Sequence, residues 1–110
     1  MKTKLDDFFI LSKVFLGNRL VITFQHQIDI SYRWVLELTD IVGFKDGLMN
    51  DELYSIRIQD GGGSYPFDLS HQLKRPEIAD FQEVFLFSDA SELNVVFRAC
   101  ARSIELREWE

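Results

Sequence analysis

His26, His71 and Cys100 are the residues of this chain whose nitrogen and sulfur atoms suit a metal site or a Cys–His nucleophilic pair. A zinc site takes about three or four protein ligands, commonly in closely spaced pairs, and these three residues include no such pair. Cys100 lies in the segment 96–101, where a small buried thiol is the usual role of cysteine. We therefore expect no catalytic residue, no metal site and no cofactor, and we predict that the protein is not an enzyme.

Two loop sequences resemble ligand-binding motifs but lack residues that the chemistry needs. Residues 46–52 are rich in Asp, Asn and Glu, yet the alternating oxygen ligands and the final Glu of a calcium loop are missing. Gly61, Gly62 and Gly63 are followed neither by Lys-Ser/Thr nor by a helix start, so they do not form a phosphate loop. We interpret the first segment as a surface turn and the glycines as the tip of a hairpin.

The charge balance favours a basic protein partner. The 110 residues include 12 basic and 18 acidic side chains, for a formal net charge of −6. This charge opposes nonspecific binding to nucleic acid and to anionic membranes. No window approaches the roughly 18 apolar residues of a spanning helix, and Met1–Lys4 leads into Asp6 and Asp7 rather than an apolar signal core. With a single cysteine, these features predict a cytoplasmic protein that binds neither nucleic acid nor membrane.

The acidic side chains are unevenly placed along the chain. Between Pro76 and Phe97 there is no Lys or Arg, so the carboxylates of this stretch have no basic neighbour in sequence. Such a stretch is typical of a solvated face that keeps a protein soluble, or of an electrostatic docking surface. On the second interpretation, the partner is bound by carboxylates of this stretch and by those beside the Gly run: Asp60, Asp68, Asp80, Glu83, Asp89 and Glu92.

Three aromatic residues are further candidates for partner binding. Tyr54 and Tyr65 flank the Gly run, and Trp109 lies beyond the last alternating segment. The tyrosines can pair across two strands, and Trp109 can fold back over a sheet. Alternatively, all three anchor a partner, because exposed Tyr and Trp supply much of the binding energy at protein interfaces.

A period of two in the apolar residues is the strongest structural signal. Leu20, Ile22 and Phe24 alternate with polar residues, and the same parity continues from Ile28 to Leu38. This period predicts strands with one buried face, and the span is too long for one ordinary strand. We therefore predict two antiparallel strands joined by a turn near residues 25–27. The predicted core-facing residues are Leu20, Ile22, Phe24, Tyr32, Trp34, Leu36, Val95 and Phe97.

The second half of the chain predicts further hairpins. Residues 53–59 and 65–69 are strand-like on either side of the Gly run, which can supply the turn. Residues 84–87 pair with residues 93–101 around a Ser-Asp-Ala-Ser turn. The parity of the apolar residues changes after this segment, which predicts a bulge near Arg102–Ser103.

The N-terminal segment fits two structures. Residues 4–16 can form a helix that Gly17 closes, but their apolar residues surround the helical wheel almost completely. A strand that enters a hairpin through Gly17–Asn18 fits slightly better. With a short helical turn after Pro76, we predict one domain, residues 1–110, of mainly β structure. It is an antiparallel sheet or sandwich built of hairpins with at most one or two short helices. The alternative is an α+β domain with an N-terminal helix over 4–16.

The chain resembles the small acidic immunity proteins of bacterial toxin systems, including those of contact-dependent growth inhibition. The resemblance rests on the hairpin formed by residues 84–87 (VFLF) and 94–100 (NVVFRAC), followed by residues 104–106 (IEL), in an acidic chain of this length. It implies a cytosolic protein that binds one cognate toxin domain, often a nuclease, and blocks its active site or substrate groove.

The predicted function is therefore neutralisation of a basic toxin domain by a protein that is a monomer when free or bound 1:1 to the toxin. Two alternatives of other classes stay open. One is a small β-barrel or sandwich that holds an apolar small molecule, suggested by the ten Phe residues. The other is a homo-oligomeric structural subunit that pairs through an edge strand.

Overall fold

The computed structural model describes residues 2–46, 53–60, 71–72, 81–89, 91 and 94–109. Over these residues the chain forms eight strands of one antiparallel sheet and no helix, which confirms the predicted mainly β class. Nowhere in these ranges is there a helix of the length and apolar character that crossing a membrane takes. The strands are β1 Lys2–Lys4, β2 Phe8–Leu16, β3 Arg19–His26, β4 Arg33–Asp46, β5 Ser55–Asp60, β6 His71–Gln72, β7 Gln82–Phe87 and β8 Val95–Trp109.

Two long central strands join the two ends of the sheet. The strand order is β1-β5-β7-β8-β4-β3-β2, with β6 paired to β4 at Gly43 and Phe44. β4 has 14 residues and β8 has 15, so both are longer than an ordinary strand. They therefore have different neighbours along their length: β3 pairs with residues 33–39 of β4, and β7 pairs with residues 95–101 of β8.

β4 and β8 change their buried face together near their middles. Leu38 and Ile41 are successive buried positions in β4, and Ala101 and Ile104 are successive buried positions in β8. A step of three residues exchanges the two faces of a strand, since side chains alternate with a period of two. The sheet therefore folds over, and the inner faces of its two halves share one hydrophobic core.

The backbone irregularity that accompanies this change lies in β4. Asp40 has a φ of 55°, and the register shifts between Ile41 and Gly43. The predicted change of face in β8 is confirmed, but the predicted bulge at Arg102–Ser103 is wrong, because the extra residue is inserted in the facing strand. The pairing of the two strands, which local parity does not reveal, decides where the extra residue goes.

Most of the predicted core residues are buried, and two are not. Tyr32 is exposed because it lies in the β3–β4 turn, beyond the end of the strand. Val95 is exposed because a register shift after Leu86 places it opposite Phe87, on the outer face of the sheet. The confirmed core residues are Leu20, Ile22, Phe24, Leu36 and Phe97, with Trp34 packed against them.

The N-terminal segment is a strand, and the alternative of a helix over residues 4–16 is wrong. β2 pairs with β3 through the two-residue turn Gly17–Asn18. Gly17 has a φ of +64°, a conformation that glycine adopts at no steric cost and that permits this tight hairpin. The β7–β8 hairpin is also confirmed, and the β3–β4 turn occupies residues 27–32, slightly after its predicted place.

Several predictions lie outside the described residues. They are the Gly61–Gly63 hairpin tip, the return strand over residues 65–69, the helical turn after Pro76, and residues 47–52 of the predicted surface turn.

Candidate partner-binding surface

The candidate carboxylates do not share one environment. Asp60 is exposed at the end of β5. Asp89 is half-buried, and its carboxylate accepts hydrogen bonds from the Asn94 amide (3.1 Å) and from the Ser91 hydroxyl. Asp89 is thus engaged in the β7–β8 turn, whereas Asp60 is open to solvent. Asp68, Asp80 and Glu92 lie outside the described residues.

Glu83 is buried in an ion pair. Its Oε2 lies 3.5 Å from Arg98 Nη2, and the Arg98 guanidinium lies over the Phe85 ring, 5.2 Å from the centroid. The premise that no basic neighbour engages this carboxylate is therefore wrong for Glu83. The basic partner is distant in sequence and comes from β8, the next strand in the sheet.

The surroundings of Glu83 form a layer of aromatic rings and guanidinium groups on the outer side of β5, β7 and β8. Arg57 lies over Phe85 and Phe87, at 5.0 and 5.2 Å from the ring centroids, and the two rings stack at 6.2 Å. Cations over aromatic faces are attracted by the ring quadrupole, more strongly when water is excluded. We call Arg57, Phe85, Phe87 and Arg98 the Phe85 face.

Of the two aromatic candidates that the structure describes, Trp109 projects into solvent and Tyr54 does not. Tyr54 is half-buried, and its backbone links β1 to β7: its amide donates to Phe87 O (2.8 Å) and its carbonyl accepts from Leu5 N (2.7 Å). Tyr65 lies outside the described residues. Trp109 is the last residue of β8 and is 51% exposed.

The β3–β4 turn next to Trp109 is held by hydrogen bonds to two side chains. His26 Nδ1 accepts from the backbone amides of Ile28 (3.2 Å) and Asp29 (3.1 Å). Asp29 Oδ1 accepts from the amide (3.1 Å) and the hydroxyl (2.6 Å) of Ser31, which forms an Asx turn. These bonds from Ser31 hold the pKa of the Asp29 carboxyl below its usual range. The polar side chains of the turn therefore fix its backbone.

Aromatic rings support the same turn from within. The Phe8 ring meets His26 and Tyr32 edge-on, with centroids 5.2 and 5.0 Å away, and His26 stacks on Tyr32 at 5.9 Å. The His26 amide donates to Tyr32 O (2.9 Å), and the Gln27 amide donates to Asp7 O in the neighbouring β1–β2 turn (2.9 Å). Two turns are thus joined into one end of the sheet.

This ordered turn leaves its apolar side chains in solvent. Ile28 is 87% exposed and Ile30 is 68% exposed. Ile30 and Trp109 line the same open cleft, and Ile28 belongs to the same turn as Ile30. We call Ile28, Ile30 and Trp109 the apical surface. Apolar side chains held out on a fixed backbone are typical of a protein docking site.

Exposed carboxylates lie next to the apical surface. Asp29 stands between the two isoleucines. Asp6 and Asp7 belong to the β1–β2 turn, which is hydrogen-bonded to the β3–β4 turn. An apolar centre with an acidic rim complements a protein surface that is basic at its rim.

The two strands at the ends of the main strand order, β1 and β2, carry features that oppose the addition of another strand. β1 has only three residues, of which Lys2 and Lys4 are exposed. β2 has a bulge after Ile10, and Lys13 pairs with Ile22, which places the charged residue on the inner side of an edge strand. Short edges, bulges and inward charges are the usual devices against edge-to-edge pairing.

Among the described residues, no three His, Cys, Asp or Glu side chains cluster as a metal site requires. Cys100 is buried, and His26 is an acceptor in the turn. Comparison with known proteins finds no matching family model, no matching curated protein and no matching solved structure.

The parity of the apolar residues predicts a buried strand face for Ile28 and Ile30, and this prediction is wrong because both are exposed. The signal that could have placed them correctly is Asp29-Ile30-Ser31, because Asp followed two residues later by Ser is typical of an Asx turn. A turn there ends the strand, so the parity of the residues within it no longer reports burial.

Proposed function

We propose that this protein is a noncatalytic binding protein that docks on a basic protein partner through the apical surface. The partner we propose is a bacterial toxin domain, which the protein neutralises in the cytoplasm. One observation carries the docking proposal: His26 and Asp29 fix the backbone of the turn, while Ile28 and Ile30 project into solvent from it and Ile30 shares an open cleft with Trp109.

Fixing the turn before binding favours affinity. A loop that is already ordered loses little conformational freedom on association, so more of the apolar contact energy appears as binding. Trp is also among the residues that most often dominate the energetics of interfaces. Both features support the apical surface as the anchor of a protein complex.

Charge supports the choice of a basic partner. The net charge of −6 attracts a basic protein at long range, and the exposed Asp6, Asp7 and Asp29 lie at the end of the sheet that carries the isoleucines. The toxin class rests on the resemblance of size, acidity and C-terminal hairpin to immunity proteins. The protected sheet edges favour a protein that is a monomer when free.

Native mass spectrometry on protein purified from its own host tests this proposal. We expect a complex near 1:1 with one basic protein, and loss of that complex in the Ile28→Ser, Ile30→Ser double variant. Val14→Ser is the matched control, because Val14 is an exposed apolar residue (44%) on β2, away from the apical surface. Expression of the captured protein should then arrest growth, and co-expression of the wild-type chain, but not of the double variant, should restore it.

Three results would contradict the proposal. A homo-oligomer or a small-molecule adduct would favour the other function classes. A complex that survives the Ile28→Ser, Ile30→Ser change but is lost with Val14→Ser would move the docking surface to β2. A complex that survives the Ile28→Ser, Ile30→Ser change but is lost in the Asp60→Lys variant would make the acidic candidates the main binding site.

A further inference from the structure

Arg33 lines the cleft of the apical surface, and among the described residues it has no carboxylate partner. Its Nε donates to Gln25 Oε1 at 3.0 Å, which fixes the plane of the guanidinium and leaves the two Nη groups for another acceptor. Within the part of the chain that the structure describes, Arg33 forms no ion pair. Arginines that do form one with a carboxylate are Arg19, Arg98, Arg102 and Arg107.

The guanidinium of Arg33 shares an open cleft with Ile30, Ser31 and Trp109. Arg33 stands between Gln25 on β3 and Trp109 on β8 in the register of the sheet, so the three side chains form one row on the outer face. The Ser31 hydroxyl already donates to Asp29. The guanidinium is therefore the cationic donor of the cleft, and Ile30 and Trp109 are its apolar walls.

This combination selects a carboxylate with an apolar group beside it. The planar fork of a guanidinium matches the two oxygens of a carboxylate. At the C-terminus of a peptide, the carboxylate and the side chain of the last residue leave the same carbon atom, so both can enter one cleft. An internal Asp or Glu brings a carboxylate without an apolar side chain. The neighbouring carboxylate of Asp29 favours basic residues in the preceding positions.

We infer that the cleft between Arg33, Ile30 and Trp109 binds the C-terminal carboxylate of a peptide chain that ends in an apolar residue preceded by basic residues. The inference deepens the proposed function and rests on it for the nature of the partner, a basic protein. Arg33 contributes specificity for the chain end, while the isoleucines and Trp109 contribute apolar contact.

Binding of short peptides by the full chain tests the inference. The probes are N-acetyl-Lys-Lys-Leu as the free acid, the same peptide as its C-terminal amide, and N-acetyl-Lys-Lys-Glu amide, whose carboxylate is on the side chain. We expect calorimetry to show at least about tenfold tighter binding of the free acid than of either amide, because only the free acid fills both parts of the cleft. In NMR spectra, the indole N–H signal of Trp109 should shift when the free acid is added. The signal is assigned by its absence in the Trp109→Phe variant.

Two variants isolate the role of Arg33. Arg33→Gln should bring the free acid and the Leu amide to equal affinity, and Arg33→Lys should keep part of the difference, since it retains the charge but not the fork. Arg102→Gln is the matched control: it removes the same charge from an exposed arginine that pairs with Asp40 (3.9 Å), and it should preserve the difference. Unchanged unfolding midpoints would show that each variant is folded.

Equal binding of acid and amide by the wild-type chain would overturn the inference, as would a preference that survives Arg33→Gln. Binding of the Glu amide as tight as the free acid would show that the cleft takes side-chain carboxylates instead, and would also overturn it. These peptide results do not decide the proposed function. That proposal is tested by capture of a basic partner that requires Ile28 and Ile30, and such a partner can be found even if the peptides show no preference.

Discussion

The apical surface and the Phe85 face both combine apolar and polar side chains, but the apolar side chains are exposed on the first and buried on the second. At the apical surface, Ile28 and Ile30 are in solvent, and the polar atoms of His26 and Asp29 are turned towards the backbone. On the Phe85 face the aromatic rings are buried and the charged groups lie across them, as the Arg57 guanidinium does.

The difference separates stability from binding. Apolar surface that is buried within the chain contributes to folding, whereas apolar surface held in solvent contributes only when a partner covers it. The Phe85 face should therefore determine how stable the sheet is. The apical surface should determine what the protein binds, with little effect on its stability.

The largest expected effect is on the buried side of this comparison. Phe87 is 2% exposed, so the Phe87→Ala variant should lose about 3–5 kcal/mol of unfolding free energy, because apolar burial is lost and a cavity is left behind. Ile30→Ala should change it by no more than about 0.5 kcal/mol. Urea denaturation followed by circular dichroism measures both, and similar losses in the two variants would break the comparison.

Glu83→Gln should have the next largest effect. The change keeps the shape of the side chain but removes the negative charge that pairs with Arg98 in a largely buried site, which should cost about 1–3 kcal/mol. Glu105→Gln is the control, because its ion pair with Arg107 (3.6 Å) is exposed and should contribute less than about 1 kcal/mol. Equal losses would mean that the pair on the Phe85 face is no stronger than a surface pair.

His26→Phe tests the other side of the comparison. The variant keeps an aromatic ring near Phe8 and Tyr32 but removes the Nδ1 acceptor of two backbone amides, at an expected cost of about 1 kcal/mol. The amides of Ile28 and Asp29 should exchange faster with solvent, and partner binding should weaken although the isoleucines are unchanged. Unaltered exchange would show that the rings alone hold the turn.

The sequence predicts the parts of this fold that depend on local pattern. Alternation of Leu20, Ile22 and Phe24 indicates a buried strand face because the strand is uninterrupted there, and Gly17–Asn18 indicates the hairpin because its turn needs a positive φ. The parity argument fails at Val95, because a register shift depends on the pairing partner and not on the strand itself.

The candidate site was predictable only in part. Trp109 stands out by residue type and position, and it is exposed as the interface hypothesis requires. Glu83 lacks basic neighbours in sequence but pairs with Arg98 across the sheet, so charge reasoning along the chain misassigns it. Gln25 orients Arg33 only because the register of β3 with β4 places the two residues opposite each other. The alternation of apolar and polar residues does not determine that register.

The smallest expected effect concerns an ion cluster on the exposed outer side of β3, β4 and β8. Glu37 accepts hydrogen bonds from Arg19 and, at 3.1 Å, from Arg107 Nη1. The bonds from Arg19 and then from Arg107 hold the pKa of the Glu37 carboxyl below its usual range. A carboxyl whose pKa is lower in the folded state stabilises the protein above its unfolded pKa, and this contribution is lost as the pH falls through the folded pKa.

Comparison of wild type with Glu37→Gln should therefore show a difference that depends on pH. Above about pH 5.5 the variant should be less stable by about 0.2–1 kcal/mol, a small value because Arg19 and Arg107 are both substantially exposed. The difference should shrink as the pH falls through the lowered pKa of the Glu37 carboxyl, since the wild-type side chain then becomes neutral as well. It should also shrink at high salt, which screens exposed charges, whereas the effect of Glu83→Gln should persist because that pair is buried. Unfolding free energies at several pH values and two salt concentrations measure this. A loss at Glu37 that is independent of both pH and salt would mean that this exposed cluster acts by packing, as the Phe85 face does.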